Sequence, residues 1–251
     1  MSLKINKDNI FFILTENIYG LSDKIDECMD KDFTLYVKAK LFPETITNKA
    51  AYILARNGMH AGISTFKDPN DKIVIQFSYW FYETTDIEKT TPIYKDVSVL
   101  LDESNWDEYN DYTMICNDAK KTIDCYINNE LVGLIYYIDM DKVSYKGAFY
   151  WFGCGNMISD DEHSSFGDFE YDLSFLSTKN LTIEDVIEIS KSYNENLIEV
   201  TGDLKRINNK MQTDYSFSFF CNFLNHNRYK IWDLSFKGNN PQLYIKNNIY
   251  F

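Results

Sequence analysis

Three carboxylates stand at alternate positions in Asp168-Phe169-Glu170-Tyr171-Asp172, a spacing that puts them on one face of a strand. Paired carboxylates hydrolyse glycosides when one protonates the leaving oxygen and the other attacks the sugar, about 5.5 Å apart in a retaining mechanism. The run continues as Leu173-Ser174-Phe175, and the first reading is a strand with outward acids and no catalytic residue. A second acidic group, Asp160, Asp161 and Glu162 beside His163, offers the oxygen ligands calcium takes. It has no alternating Asp-x-Asp-x-Asp pattern, and a solvated acidic loop is the simpler reading. Calcium stays an option there, and no cofactor is required. The three histidines, His60, His163 and His226, are isolated, and the five cysteines (28, 116, 125, 154, 221) form no Cys-x-x-Cys pair, which argues against zinc.

Sugar recognition asks instead for aromatic faces beside amides or carboxylates. Four tryptophans (80, 106, 151, 232) and 19 tyrosines supply them. Trp106 lies in Asp102-Glu103-Ser104-Asn105-Trp106-Asp107-Glu108-Tyr109. There it is either an exposed platform, with Tyr109 nearby, or a core tryptophan at the start of a strand. Trp80 with Tyr82, and Trp151 with Tyr150, lie on alternating strands. One member of each pair is expected to face outward where the other is core. The ligand-binding candidates are therefore Trp106, Tyr109, Trp80, Tyr82, Trp151 and His163.

The elements that must hold these residues are strands. Asp32 to Phe42 alternates, with Phe33, Leu35, Val37, Ala39 and Leu41 on one face, and Pro43 ends it. Thr122 to Ile127 alternates as well, and Asn128-Asn129 suits a two-residue hairpin turn. Asp68-Pro69-Asn70-Asp71 is turn chemistry and Thr84 to Pro92 a polar loop. Helical periodicity is confined to Thr182-Ile183-Glu184-Asp185-Val186-Ile187-Glu188-Ile189, which Thr182 and Asp185 cap. Short strands about ten residues apart, with one short helix, predict an all-β antiparallel sandwich or jelly roll.

Composition narrows the partners. The chain has 251 residues, 45% hydrophobic and 16% aromatic, enough for a large core. A net charge of −13 excludes the basic surface that nucleic acid or an anionic membrane needs. No segment approaches the roughly 20 apolar residues that span a bilayer, and Met1-Ser-Leu-Lys-Ile-Asn-Lys-Asp lacks a signal-peptide core. The compartment stays open. The richness in Asn, Lys, Ile, Tyr and Phe fits an AT-rich genome.

Five pieces in order resemble the laminin G-like, or concanavalin A-like, lectin/glucanase superfamily over roughly residues 5–192. They are the strand Asp32–Ala39, the hairpin Ile123–Val132, the apolar-then-glycine strand Phe149–Gly155, the returning strand Phe166–Phe175 and the closing helix Leu176–Val186. The resemblance implies a jelly-roll sandwich. It also implies a non-catalytic carbohydrate-binding or adhesion module, extracellular or at the cell surface, with a glycan or glycoconjugate as partner and other domains in a longer chain. It carries two alternatives. One is a laminarinase-type glycoside hydrolase using Glu170 and Asp172, although the pattern Glu-x-Asp followed by a further Glu is incomplete here. The other is a protein–protein or structural domain.

Residues 193–251 are expected to add strands or to begin a second similar domain. The second option rests on the match of Met211-Gln-Thr-Asp-Tyr-Ser-Phe-Ser-Phe-Phe-Cys-Asn-Phe-Leu224 to Met29–Phe42 in its Met, Asp, aromatic, hydroxyl and apolar positions.

Overall fold

A strand with one apolar face is stable only when a second layer covers that face. The computed structural model of the chain supplies this layer and a third. It describes residues 3–5, 9–15, 29–56, 61–143, 148–153, 164–165, 167–201, 204–223, 242–245 and 248–250.

In chain order the first strands are β1 (Leu3–Ile5), β2 (Asn9–Thr15), β3 (Phe33–Leu41), β4 (Ala50–Arg56), β5 (Ala61–Lys67), β6 (Ile73–Glu83) and β7 (Ile93–Leu100). Next come β8 (Tyr109–Asn117), β9 (Thr122–Ile127), β10 (Glu130–Tyr136), β11 (Met140–Lys142), β12 (Ala148–Phe152), β13 (Ser164–Ser165) and β14 (Phe169–Ser177). After helix α1 (Ile183–Ser192) come β15 (Leu197–Thr201), β16 (Leu204–Ile207), helix α2 (Asn209–Tyr215), β17 (Phe217–Asn222), β18 (Gln242–Ile245) and β19 (Asn248–Tyr250). Sheet A runs β1-β14-β3-β8-β9-β10, with β17 also on β14. Sheet B runs β11-β6-β5-β4-β12-β2-β18-β19, with β7 on β6 and β13 on β4. A β15–β16 hairpin stands apart. All pairings are antiparallel except β13 with β4. The fold is an antiparallel β-sandwich.

The main core lies between the sheets and takes Phe33, Leu35, Val37, Ala39 and Leu41 from β3 and Ile73, Ile75, Phe77, Tyr79 and Phe81 from β6. A second cluster covers the outer face of sheet A. There Tyr36, Ile115, Leu173 and Phe175 meet Val186 and Ile189 of α1, Met211 of α2, and Phe217 and Phe220 of β17. Around these residues of β14, β3 and β8, sheet A is thus buried on both sides. The helix expected at 182–189 is present, with Thr182 accepting from the Asp185 N–H at 3.1 Å and Asp185 accepting from the Thr182 N–H at 2.9 Å. A second, unexpected helix is α2. Asn208 starts it by accepting from the Met211 N–H at 2.8 Å, and Ser216 in left-handed geometry ends it.

One irregularity changes which side chains of β14 face where. In β14 the register slips between Tyr171 and Leu173, leaving Asp172 as the extra residue of a bulge. The slip reverses the alternation. Phe169 and Tyr171 enter the main core before it, and Leu173 and Phe175 enter the second cluster after it. The straight alternation expected through Asp168, Glu170 and Asp172 is broken at its last member. The hairpin turn follows the sequence: Asn128 and Asn129 have φ of 50° and 69°, as a type I′ turn requires.

Beyond the β15–β16 hairpin, the described strands of the tail join both sheets. β17 pairs with Leu173–Ser177 of β14, beyond the stretch Phe169–Tyr171 that pairs with β1. β18 pairs with β2. The tail segment aligned with β3 therefore lies in the same sheet as β3, with β14 between them.

Candidate functional site

Residues of β6 alternate between the core and the outer face of sheet B. Phe77, Tyr79 and Phe81 point inward, so Gln76, Ser78, Trp80 and Tyr82 point outward. Trp80 and Tyr82 therefore share one face, against the expectation that one would be core, because residues two apart on a strand lie on the same side. The pairing of β6 with β7 sets Trp80 opposite Tyr94, Ser78 opposite Asp96 and Gln76 opposite Ser98. The Trp80 and Tyr94 rings are 5.2 Å apart at 59°, a packed and tilted pair.

A polar network continues from this pair along the strands. The Gln76 amide donates to Asp96 Oδ2 at 3.1 Å and to Ser98 Oγ at 3.2 Å. Ser98 Oγ donates to the same Asp96 oxygen at 2.8 Å. Ser64 Oγ on β5 donates to Gln76 Oε1 at 3.4 Å. Burial pushes the Tyr94 phenol up; the Ser78 hydroxyl pulls it down, and the Asp96 charge adds to the rise. Tyr94 is thus a neutral ring with an intact O–H donor at any physiological pH. It is 37% exposed.

At the same end of β6 the chain turns through a cavity of about 390 Å³ lined by Glu83, Thr85, Asp86, Thr90, Thr91 and Ile93. Asp86 Oδ2 organises the turn by accepting from the Thr90 and Thr91 N–H groups at 2.9 and 3.0 Å. Thr85 Oγ1 donates to Glu83 at 3.2 Å. The arrangement offers an aromatic pair, an oriented carboxylate and amide, and hydroxyl groups.

The other sequence candidates lie elsewhere. Trp106 follows a 3-10 turn that Asp102 caps, with the Ser104 N–H and hydroxyl donating to Asp102 at 2.8 and 2.6 Å. Its ring packs on the main core and its indole N–H donates to the Leu101 carbonyl at 3.1 Å. Tyr109 is half-buried at the start of β8, opposite Lys40. This turn follows the end of β7 that pairs with Val74, six residues and about 20 Å along β6 from Trp80. Trp106 and Trp80 do not form one site. The backbone of Trp151 pairs with Ala55 and Phe12. The calcium candidates Asp160, Asp161 and Glu162, and His163, fall outside the described residues. Among the described residues no group of three His, Cys, Asp or Glu side chains is placed to hold a metal.

The acidic strand is built into the sheet. Asp168 pairs with Lys4 at 3.0 Å and Asp172 with Lys38 at 3.3 Å. Glu170 stands in register with Lys4 and Lys40. A further titratable cluster is enclosed at one end of the sandwich. Lys142 donates to the Lys31 carbonyl and lies 3.4 Å from both Cys116 Sγ and Asp118 Oδ1. The Tyr137 hydroxyl donates to Asp118 at 2.9 Å and lies 3.2 Å from Cys116 Sγ. Burial pushes the Cys116 thiol up despite the Lys142 ammonium, so it stays protonated and inert.

Tyr94, Asp96, Gln76 and Ser98 were not among the sequence candidates. For Tyr94, Asp96 and Ser98 the signal was their period-two spacing in Ile93-Tyr94-Lys95-Asp96-Val97-Ser98-Val99-Leu100, which reads as a strand beginning four residues before the apolar run at its end.

No family model matches the chain, and no curated protein matches it. Solved structures do. A candidate carbohydrate-binding protein from Bacteroides ovatus superposes with a TM-score of 0.55 over 99% of this chain and 59% of its own length, at 10% identity. The receptor-binding domain of botulinum neurotoxin D gives 0.49 over 79% of this chain and 45% of its own, at 19% identity. Botulinum neurotoxin type C, whose cell entry is described as dependent on interaction with two ganglioside molecules, gives 0.47 over 99% and 63%, at 15% identity. The chain spans less than two thirds of each. The first likeness establishes the sandwich fold; the two toxin likenesses are too distant to build on.

Proposed function

We propose that the chain is a non-catalytic carbohydrate-binding module of the concanavalin A-like kind, and that it holds a sugar on the outer face of β6 and β7. The observation that carries this is the Trp80–Tyr94 pair beside the Gln76–Asp96–Ser98 network. A pyranose presents an apolar C–H face and a rim of hydroxyls, and this surface offers an aromatic face and a rim of oriented acceptors and donors. The reported carbohydrate assignment of the Bacteroides protein supports the same reading. Trp106 and Tyr109 are assigned to holding the 101–109 turn. The acids of β14, set against lysines, are assigned to the sheet, which favours binding over hydrolysis.

A glycan array with the intact chain tests the reading, followed by titration of the best glycan against Trp80→Ala. The expected result is binding that falls about tenfold on removal of the ring, the equivalent of roughly 1.5 kcal/mol of stacking and apolar contact. Binding to no glycan above background, or binding untouched by Trp80→Ala, removes the proposal.

A further inference from the structure

Among the outward-facing residues of β6 and β7, Asp96 is the one that carries a formal charge, and Asp141 of β11 stands in register with Tyr82 beside them. Asp96 Oδ2 is occupied by the Gln76 amide and the Ser98 hydroxyl, and no hydrogen bond from a described residue reaches Oδ1. That second oxygen is a fixed, exposed acceptor two residues from Tyr94. The lysine between them, Lys95, turns the other way, and its ammonium donates to the Tyr136 carbonyl on β10 at 2.8 Å. Lys89, in the turn beyond the aromatic pair, lies 3.7 Å from Asp141. Glu83 and Asp86 line the cavity at that end. Lys95 and Lys89 are thus both committed, while Asp96, Glu83 and Asp86 supply negative charge.

We infer that this face selects neutral or amine-bearing glycans and rejects those carrying a carboxylate or sulfate, with Asp96 as the deciding residue. The inference rests on the carbohydrate reading above. A sugar hydroxyl donates to Asp96 Oδ1 as an ordinary hydrogen bond, and an ammonium does so with charge assistance. An acidic sugar in the same place meets a like charge with no counter-ion, which is how an interface excludes a wrong partner.

Two matched pairs of probes test it: an N-acetylglucosamine hexamer against its de-acetylated glucosamine hexamer, and lactose against sialyllactose. Each is titrated with the intact chain, Trp80→Ala and Asp96→Asn at low and high salt. The expected result is that the glucosamine hexamer binds at least as tightly as its acetylated partner, that its excess affinity fades in salt, and that Asp96→Asn weakens it about fivefold. Sialyllactose is expected to bind more weakly than lactose. Tighter binding of sialyllactose that is lost in Trp80→Ala overturns the charge selection and keeps the site. Equal binding of the hexamers by the intact chain and by Asp96→Asn overturns the role of Asp96. Loss of Trp80-dependent binding for all four probes overturns the site and the selection with it.

Discussion

Lys142 shows what one residue can cost or contribute. It is 8% exposed, and its ammonium is held by Asp118, Cys116 and the Lys31 carbonyl while lying over the rings of Phe33 and Tyr137. Removing this buried ammonium also removes its stem from the core, while Asp118, 35% exposed, stays partly solvated. Lys142→Ala is expected to lower unfolding stability by about 3 kcal/mol, and Lys142→Met, which keeps the apolar stem, by less; urea denaturation measures both. The partner carboxylate sets the pH dependence. Burial alone would push Asp118 up, but the Tyr137 hydroxyl and the ammoniums of Lys142 and Lys121 together hold it below 3.8. A depressed carboxyl contributes stability that is complete above its unfolded value and is lost as pH falls through the folded one. Acid unfolding of Lys142→Met is therefore expected at a higher pH than that of the parent. None of this was legible in Asp141-Lys142-Val143. The partners sit at 31, 116 and 118, and no local pattern marks a lysine whose counter-charges arrive from other strands. The outer face of β6 and β7 was half legible for the related reason that Trp80 and Tyr82 stand out by type, whereas Tyr94 matters only through its cross-strand register.

At the scale of elements, the β9–β10 hairpin was readable because its alternation and its two-residue gap agree. Its two asparagines are nonetheless unequal. Asn128 donates from its amide to Asn110 at 2.8 Å and accepts from the Asp111 N–H at 3.0 Å, so it ties the turn to β8. Asn129 supplies a left-handed backbone, φ 69°. Asn129→Gly is expected to stabilise by about 0.5 kcal/mol, since glycine adopts this φ without strain. Asn128→Gly is expected to destabilise by about 1–2 kcal/mol, since two hydrogen bonds are lost. Thermal unfolding of the two variants should move in opposite directions. The β14 bulge, by contrast, could not be read from Phe169-Glu-Tyr-Asp-Leu-Ser-Phe-Leu-Ser177. After Asp172 both faces of the strand are buried, one by sheet B and one by α1 and α2. A strand buried on both sides has no alternation left to count. The edges are managed too. Lys95 of β7 covers a β10 carbonyl, and a Cβ on Gly133 would come within 2.5 Å of Val97, so the two edge strands shield each other.

For the whole molecule, the sandwich and its helix were legible from residues 5–192, but the third layer was not. The tail reads as a repeat of β3 because both are aromatic strands of sheet A, and only the pairing shows that they flank the same neighbour. Ending the chain after Ser192 would remove β17 from β14, β18 from β2, and Ile207, Met211, Phe217 and Phe220 from the second cluster. Such a truncation is expected to lose cooperative unfolding and to bind a hydrophobic dye, as an apolar face and a strand edge are uncovered; calorimetry and dye fluorescence check this. The side-by-side placement of β1 and β17 along β14 has a consequence for synthesis. On the ribosome, the edge of Leu173–Ser177 waits for residues 217–222 to emerge, long after β3 has closed its other side. Until then the nascent chain carries an unpaired, largely apolar strand edge. The arrival of residues 217–222 therefore sets when that edge stops being open to wrong association.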